Sequence, residues 1–210
     1  VKKISKTKTA TKTEKRQPFV SLILGINDTG KSTFLLEKIK PMKPKRVLVV
    51  TQTGNPTIWQ NYEEIDLRNS KKMASFKGIK TVKALKYNRE TLKLIYENYR
   101  NGMVIFDDCK QYIKSNLEHT KGLVELLGDF RHLGIDIWFV LHSALQVPPE
   151  VWSHTKYAFV GKTNRMIPNS YPLDKTGELI EIQKEVNKRY IEAERKGGTA
   201  KYGLFKLIKL

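Results

Sequence analysis

Cysteine occurs once, at Cys109, in the 210 residues. An intrachain disulfide framework is therefore excluded, and the chain suits a reducing compartment. Acids are also few: 21 Asp and Glu face 39 Lys and Arg, a formal net charge of +18. Arginine is scarce even within that surplus, 9 against 30 lysines. Small-molecule kinases usually clamp a second nucleotide with several arginines on a lid, so scattered arginines weigh against that class. No apolar run approaches the roughly 20 residues that cross a bilayer. The basic start is followed by no apolar stretch of the signal-peptide kind. What is present, 40% hydrophobic and 29% charged residues, argues against a wholly disordered chain. The expectation is a soluble, intracellular, basic globular domain with a core of its own.

The charge is unevenly placed. Residues 1–17 hold Lys2, Lys3, Lys6, Lys8, Lys12, Lys15 and Arg16 against Glu14, so +6 of the +18 sits there. This Lys/Thr/Ser stretch has no hydrophobic period and reads as a flexible basic arm, with 18–210 as the folded domain. A field of this sign favours polyanions, nucleic acid first among them. A lysine-heavy composition drawn from an AT-rich genome is the plainer reading of part of it.

From Pro18 onward, short apolar runs alternate with helical segments. The runs Phe19–Leu24, Arg46–Val50, Met103–Phe106, Ile135–Leu141 and Tyr157–Val160 are nearly continuous, as strands covered on both faces are. Helices are predicted over Lys31–Lys40, Arg89–Arg100, His119–His132 and Lys175–Lys196, with a last strand over Tyr202–Leu210. The alternation predicts an α/β three-layer domain with a mainly parallel central sheet.

Gly25-Ile26-Asn27-Asp28-Thr29-Gly30-Lys31-Ser32 matches G-x-x-x-x-G-K-[ST] in full, with a buried strand before it and a helix after it, as a phosphate loop requires. Its glycines permit close approach, and its amides converge on an anion at the positive end of the following helix. Lys31 would face the β/γ-phosphates of ATP, Ser32 would ligate Mg²⁺, and Thr33 would bond the α-phosphate. The run Met103–Phe106 then ends in Asp107 and Asp108. Asp107 at the strand tip would hold Mg²⁺ through its water, and Asp108 would act as general base towards the attacking water. Glu118 and Glu125 are alternatives for the base. Ile135–Leu141 ends in His142 and Ser143, which would sense the γ-phosphate if this strand lies between the other two; Gln146 is a candidate for the same role. A strand cap is the plainer reading of His142. Arg131 sits at a helix end, where it is either a solvated cap or a finger that stabilises the transition state in a neighbouring subunit, with Arg89 and Arg165 behind it.

Together these residues resemble the FtsK/HerA superfamily of P-loop ATPases, and within it the poxvirus-type genome-packaging ATPases of double-jelly-roll viruses. The resemblance spans Pro18 to Lys162. It rests on Gly25–Thr33, on Val104–Asp108 with its paired Walker B acids, and on Arg131-His132, Trp138–Ser143, Val147-Pro148-Pro149 and Tyr157–Gly161. His142-Ser143 stands where the family usually has Gln. The resemblance implies an additional-strand, RecA-like core of order 5-1-4-3-2, with ATP and Mg²⁺ as cofactors. It also implies a homo-oligomeric ring that translocates DNA, double-stranded and without sequence preference, at a viral capsid vertex. The setting would be the host cytoplasm or the virion. An NTPase of phage morphogenesis or export, resembling zonula occludens toxin, and a nucleotide kinase are the competing classes. Trp59, Tyr62, Tyr96 and Tyr99 could stack on bases or pack the core. The segment at Asn55-Pro56, with Lys71, Lys72, Lys77 and Lys80 beyond it, could line a pore or form a solvated basic face.

Overall fold

A computed structural model of the chain describes residues 16–51, 58–83, 88–109, 117–197 and 202–210. Seven strands form one sheet: β1 (Val20–Leu24), β2 (Arg46–Thr51), β3 (Gly78–Lys83), β4 (Gly102–Phe106), β5 (Ile135–Leu141), β6 (Thr155–Val160) and β7 (Lys206–Lys209), in the order β3-β2-β4-β5-β1-β6-β7. All neighbours are parallel except β6 and β7. The five apolar runs thus stand in the expected 5-1-4-3-2 order, and the predicted last strand joins the sheet as β7 over Lys206–Lys209. One unforeseen strand, β3, extends the sheet beyond β2.

Among the described residues six helices accompany the sheet: α1 (Lys31–Ile39), α2 (Ser70–Ser75), α3 (Asn88–Asn98), α4 (Leu117–Leu133), α5 (Pro149–His154) and α6 (Thr176–Arg195). Period-two alternation divides the apolar strands between two cores. Leu22, Leu24, Leu48, Val50, Val104, Phe106, Ile137 and Phe139 face one side, with Leu92 and Ile95 of α3, Leu123 and Leu127 of α4, and Leu179 and Val186 of α6. Ile23, Val47, Val49, Met103, Ile105, Trp138 and Val140 face the other, with Leu35 and Ile39 of α1 and with Trp59. Cover on both faces is why these strands read as unbroken apolar runs.

Element ends follow local chemistry. A 3-10 turn, Lys40–Met42, continues α1 through Pro41. Helix α6 places Glu178 in its first turn and Arg195 in its last, in line with its dipole, and passes at Lys196 into Gly197 at φ 71°. Arg16, counted with the arm in the sequence, is docked: it pairs with the Asp136 carboxylate at the start of β5 and lies over the Phe19 ring at 4.9 Å. Residues 1–15 of the arm lie outside the described residues, as does Asn55-Pro56.

Candidate functional site

With β1 to β6 parallel, the loops that leave their carboxyl ends share one rim, where open α/β sheets bind ligands. The phosphate loop leaves β1 there, and the neighbouring strands hold it by the backbone. Gly25 N–H donates to Leu141 O at 3.0 Å on the β5 side, and Ile26 N–H to Lys162 O at 2.8 Å beyond β6. Inside the loop, Thr29 Oγ1 donates to Ile26 O at 2.9 Å. Asp28 and Gly30 take left-handed φ of 59° and 79°, and the turn closes into α1 through Phe34 N–H and Gly30 O at 2.8 Å. Helix α1 has no side-chain cap and no acid in its first turn, so its positive end faces the concavity of the loop.

Lys31 curls into that concavity, its Nζ 2.8 Å from Ile26 O. Burial pushes its ammonium below the usual lysine range, and the charges of Asp107, Asp108 and Asp28 oppose this. Asn27, Asp28 and Thr33 are exposed, and Thr29 is buried.

Strand β4 delivers both acids to the same rim. Asp107 is 6% exposed. Its Oδ2 accepts from Ser32 Oγ at 3.1 Å and from Trp59 Nε1 at 2.6 Å. Burial raises its pKa; the two hydrogen bonds and the Lys31 charge hold it down, while Asp108 pushes it further up. Asp108 turns out of the strand at a left-handed φ of 49°, and its Oδ1 lies 2.7 Å from His142 Nε2. Strand β5 stands between β4 and β1, so His142 arrives beside the acid as the order predicts. Its backbone N–H donates to Gln146 Oε1 at 3.2 Å. Ser143 caps the 3-10 turn Ala144–Gln146, accepting from Leu145 N–H at 3.3 Å.

Ser32 and Asp107 offer a hydroxyl and a carboxylate, hard oxygens of the kind Mg²⁺ takes when phosphates and waters complete its shell. Among the described residues no group of three or more His, Cys, Asp or Glu could enclose a metal alone, and a substrate-borne Mg²⁺ needs none.

Not every candidate comes to this rim. Arg131, at the end of α4, lies at the opposite edge of the sheet, where Arg16, Lys45, Gly102, His132 and Asp136 also line a cleft of about 1020 Å³. Arg165 follows β6, and Arg89 is in the first turn of α3; both are exposed at the carboxyl-end rim. Glu125 is exposed on α4, with its charge felt at Tyr96; the side chain of Glu118 lies outside the described residues.

Base stacking by Trp59 and Tyr99 is overturned by burial, at 1% and 0% exposure. Tyr99 spends its hydroxyl on Arg46 O and Met103 O. Lys80 lies on β3 and pairs with Glu63, while Lys71 and Lys72 are exposed on α2, with Lys77 exposed just beyond it. Sequence reasoning missed Trp59 as a partner of Asp107. The available signal was a tryptophan between strand and polar loop, since a buried indole N–H needs an acceptor.

No family model matches the chain, and no curated protein sequence does. Among solved structures, the genome packaging NTPase of Sulfolobus turreted icosahedral virus 2 with bound AMPPCP superposes with a TM-score of 0.63 at 15% identity, over 81% of this chain and 86% of that one. The same protein with ATP-gammaS gives 0.58 at 13% identity, over 82% and 85%. The DNA-packaging ATPase of Sulfolobus turreted icosahedral virus gives 0.59 at 15%, over 92% and 98%. At this level of identity the likeness is one of architecture: the chain has the fold of the P-loop NTPases, with Gly25–Ser32 and the paired acids Asp107 and Asp108 at the carboxyl ends of its parallel strands.

Proposed function

We propose that this protein is a Mg²⁺-dependent ATPase whose turnover moves DNA, as in packaging a viral genome, and that it works as a homo-oligomeric ring. The observation that carries the reading is the convergence of Ser32 and Asp107, 3.1 Å apart, with Asp108 and His142 beside them on the rim of the phosphate loop.

Each residue then has a role. Lys31 exchanges the Ile26 carbonyl for oxygens of the β/γ-phosphates, and Thr33 supports the α-phosphate. Ser32 and Asp107 would hold a Mg²⁺, and the ion would supply charge neutralisation at the phosphate oxygens. Asp108 takes the proton of the attacking water, with its carboxylate oriented by His142 Nε2 on Oδ1. Ser143 and Gln146 flank His142 and complete the γ-phosphate side. Arg131 lies on the far rim of its own subunit, so any part it takes in hydrolysis would be at a neighbouring subunit's site.

Support for DNA comes from the charge, because catalysis uses little of the +18. The amino-end rim gathers Arg16, Lys45, Arg131 and His132 around one cleft, and 1–17 contribute +6. Capsid vertex proteins as partners, and work in the host cytoplasm or the virion, follow from the same reading. The test is the ATPase rate with and without duplex DNA across a salt series, with molecular mass measured in the same buffers. DNA stimulation that fades with salt, in an assembly larger than a monomer, is expected. A rate indifferent to DNA, without salt-dependent binding, overturns the DNA part. Phosphate transfer to nucleoside monophosphates would move the protein to the kinase class.

A further inference from the structure

The segment leading into β7 lies against the phosphate loop. The Gly203 N–H donates to Thr29 O at 3.0 Å, and the φ of 76° at Gly203 turns the chain so that Tyr202 stands beside the loop. A methyl group added to Gly30 would lie 3.4 Å from Gly203 N and 3.7 Å from Tyr202 Cβ. Phe205 anchors the segment: its ring stacks on Phe34 of α1 at 4.3 Å and would come within 2.6 Å of a methyl on Gly161. The post-β6 chain beneath is itself fixed, because Asn187 of α6 bonds both backbone groups of Thr163, at 2.9 and 3.0 Å. Tyr202 keeps 48% of its surface exposed.

Sheet order dictates which way a nucleotide lies. The γ-phosphate belongs on the β4–β5 side, with Asp107, Asp108 and His142. Strand β1 and its loop come next, then β6 and β7. A triphosphate laid along the loop from Lys31 towards Thr33 therefore delivers its nucleoside to the β6–β7 side, where Tyr202 stands. We propose that Tyr202, held on the loop by the Gly203–Thr29 hydrogen bond, is the stacking platform for the purine base of the nucleotide. This rests on the phosphate-loop reading above. A phenol ring offers a π-face to any base and more contact to a purine than to a pyrimidine. Tyr202 thus selects for a base, and for a large one, without separating adenine from guanine.

The test compares equilibrium binding of ATP and of inorganic tripolyphosphate, each with Mg²⁺, to the full chain and to its Tyr202→Ala and Tyr202→Phe variants, with thermal melting of each. The expected result is about tenfold weaker ATP binding by Tyr202→Ala, recovery in Tyr202→Phe, and tripolyphosphate binding changed by less than about twofold throughout. Unchanged ATP binding by Tyr202→Ala, or equal weakening of both ligands, overturns the proposal and leaves the phosphate loop standing. Binding of neither ligand by the unmodified chain overturns both. Should Tyr202→Ala prove unfolded, the unmodified chain decides alone: ATP held no tighter than base-free ribose 5′-triphosphate overturns the platform.

Discussion

Lys31 shows how the site prepares for an anion. Its ammonium is partly stripped of water and bonded to one carbonyl, and three nearby carboxylates favour its charged form against that burial. Removing it in Lys31→Ala leaves the loop amides in place but takes away the charge facing the β/γ-phosphates. ATP affinity or turnover should fall by about 100-fold or more, the scale of a lost electrostatic stabiliser in a water-poor site; titration with ATP and a phosphate-release assay measure the two. Asp108→Asn keeps the shape and the His142 contact but cannot take a proton. Hydrolysis should drop by about 10²–10⁴-fold while ATP binding stays, and near-normal turnover would move the base elsewhere. Trp59→Phe keeps the ring in the core and deletes the donor to Asp107 Oδ2. The carboxylate is then buried with one donor fewer, which should lower stability by about 1–2 kcal/mol in urea unfolding. It should also slow Mg²⁺-supported turnover more than it weakens ATP binding.

At the scale of elements, the docking of Arg16 and Phe19 onto β5 carries a pH signature. Asp136 Oδ1 accepts from Phe19 N–H at 3.1 Å, and its other oxygen pairs with Arg16. Burial raises the pKa of Asp136 above 3.8, and Arg16 holds it back. A folded pKa above the unfolded one means that this group destabilises the fold as pH rises through that interval. Arg16→Ala lets the folded pKa rise further. The variant should therefore lose about 1–2 kcal/mol near pH 7, less than a fully buried pair would because Arg16 is half-exposed, and distinctly less near pH 4, where Asp136 takes up a proton. Urea unfolding at the two pH values checks both the size and the sign.

These same elements explain what could be read beforehand. Strands β1, β2, β4 and β5 announce themselves because both of their faces are covered, so Val20–Leu24 or Ile135–Leu141 can be apolar throughout. Strand β3 is an edge: Gly78-Ile79-Lys80-Thr81-Val82-Lys83 mixes lysine with apolar residues, and only Thr81 and Val82 are buried. That mixture looks like loop. Helix α2 spans just six residues, too few for a 3.6-residue period to register. The phosphate loop and acid pair were legible because their chemistry is local, a fixed spacing on one turn or one strand end. Trp59 on Asp107, Gly203 on Thr29 and Arg16 on Asp136 were not, since each joins residues 48, 174 or 120 positions apart.

Across the whole molecule the acids of the site and the basic cleft lie on different rims of the sheet. The carboxyl-end rim concentrates Asp28, Asp107 and Asp108 around one lysine, while Arg16, Lys45, Arg131 and His132 border the cleft at the other. A track held in the cleft lies on the far rim from the phosphate loop, so ATP and DNA need not compete for a surface. Two uses of Arg131 then make different predictions. As part of the track, Arg131 acts with Lys45 through counterion release, and each neutralised contact contributes about 0.9 to the slope of log K against log salt on duplex DNA. Lys45→Ala with Arg131→Ala should flatten that slope by about 2 and leave ATP affinity unchanged. As a finger into a neighbouring subunit, Arg131 should matter to turnover instead: Arg131→Ala alone abolishes hydrolysis with the salt slope intact, and mixing it with Lys31→Ala subunits restores activity, because each lends the part the other lacks. Salt-series binding by anisotropy and a mixing assay in which the two variants assemble together separate the two. The cleft position, shared with Arg16 and Lys45 rather than isolated at a protruding tip, favours the track.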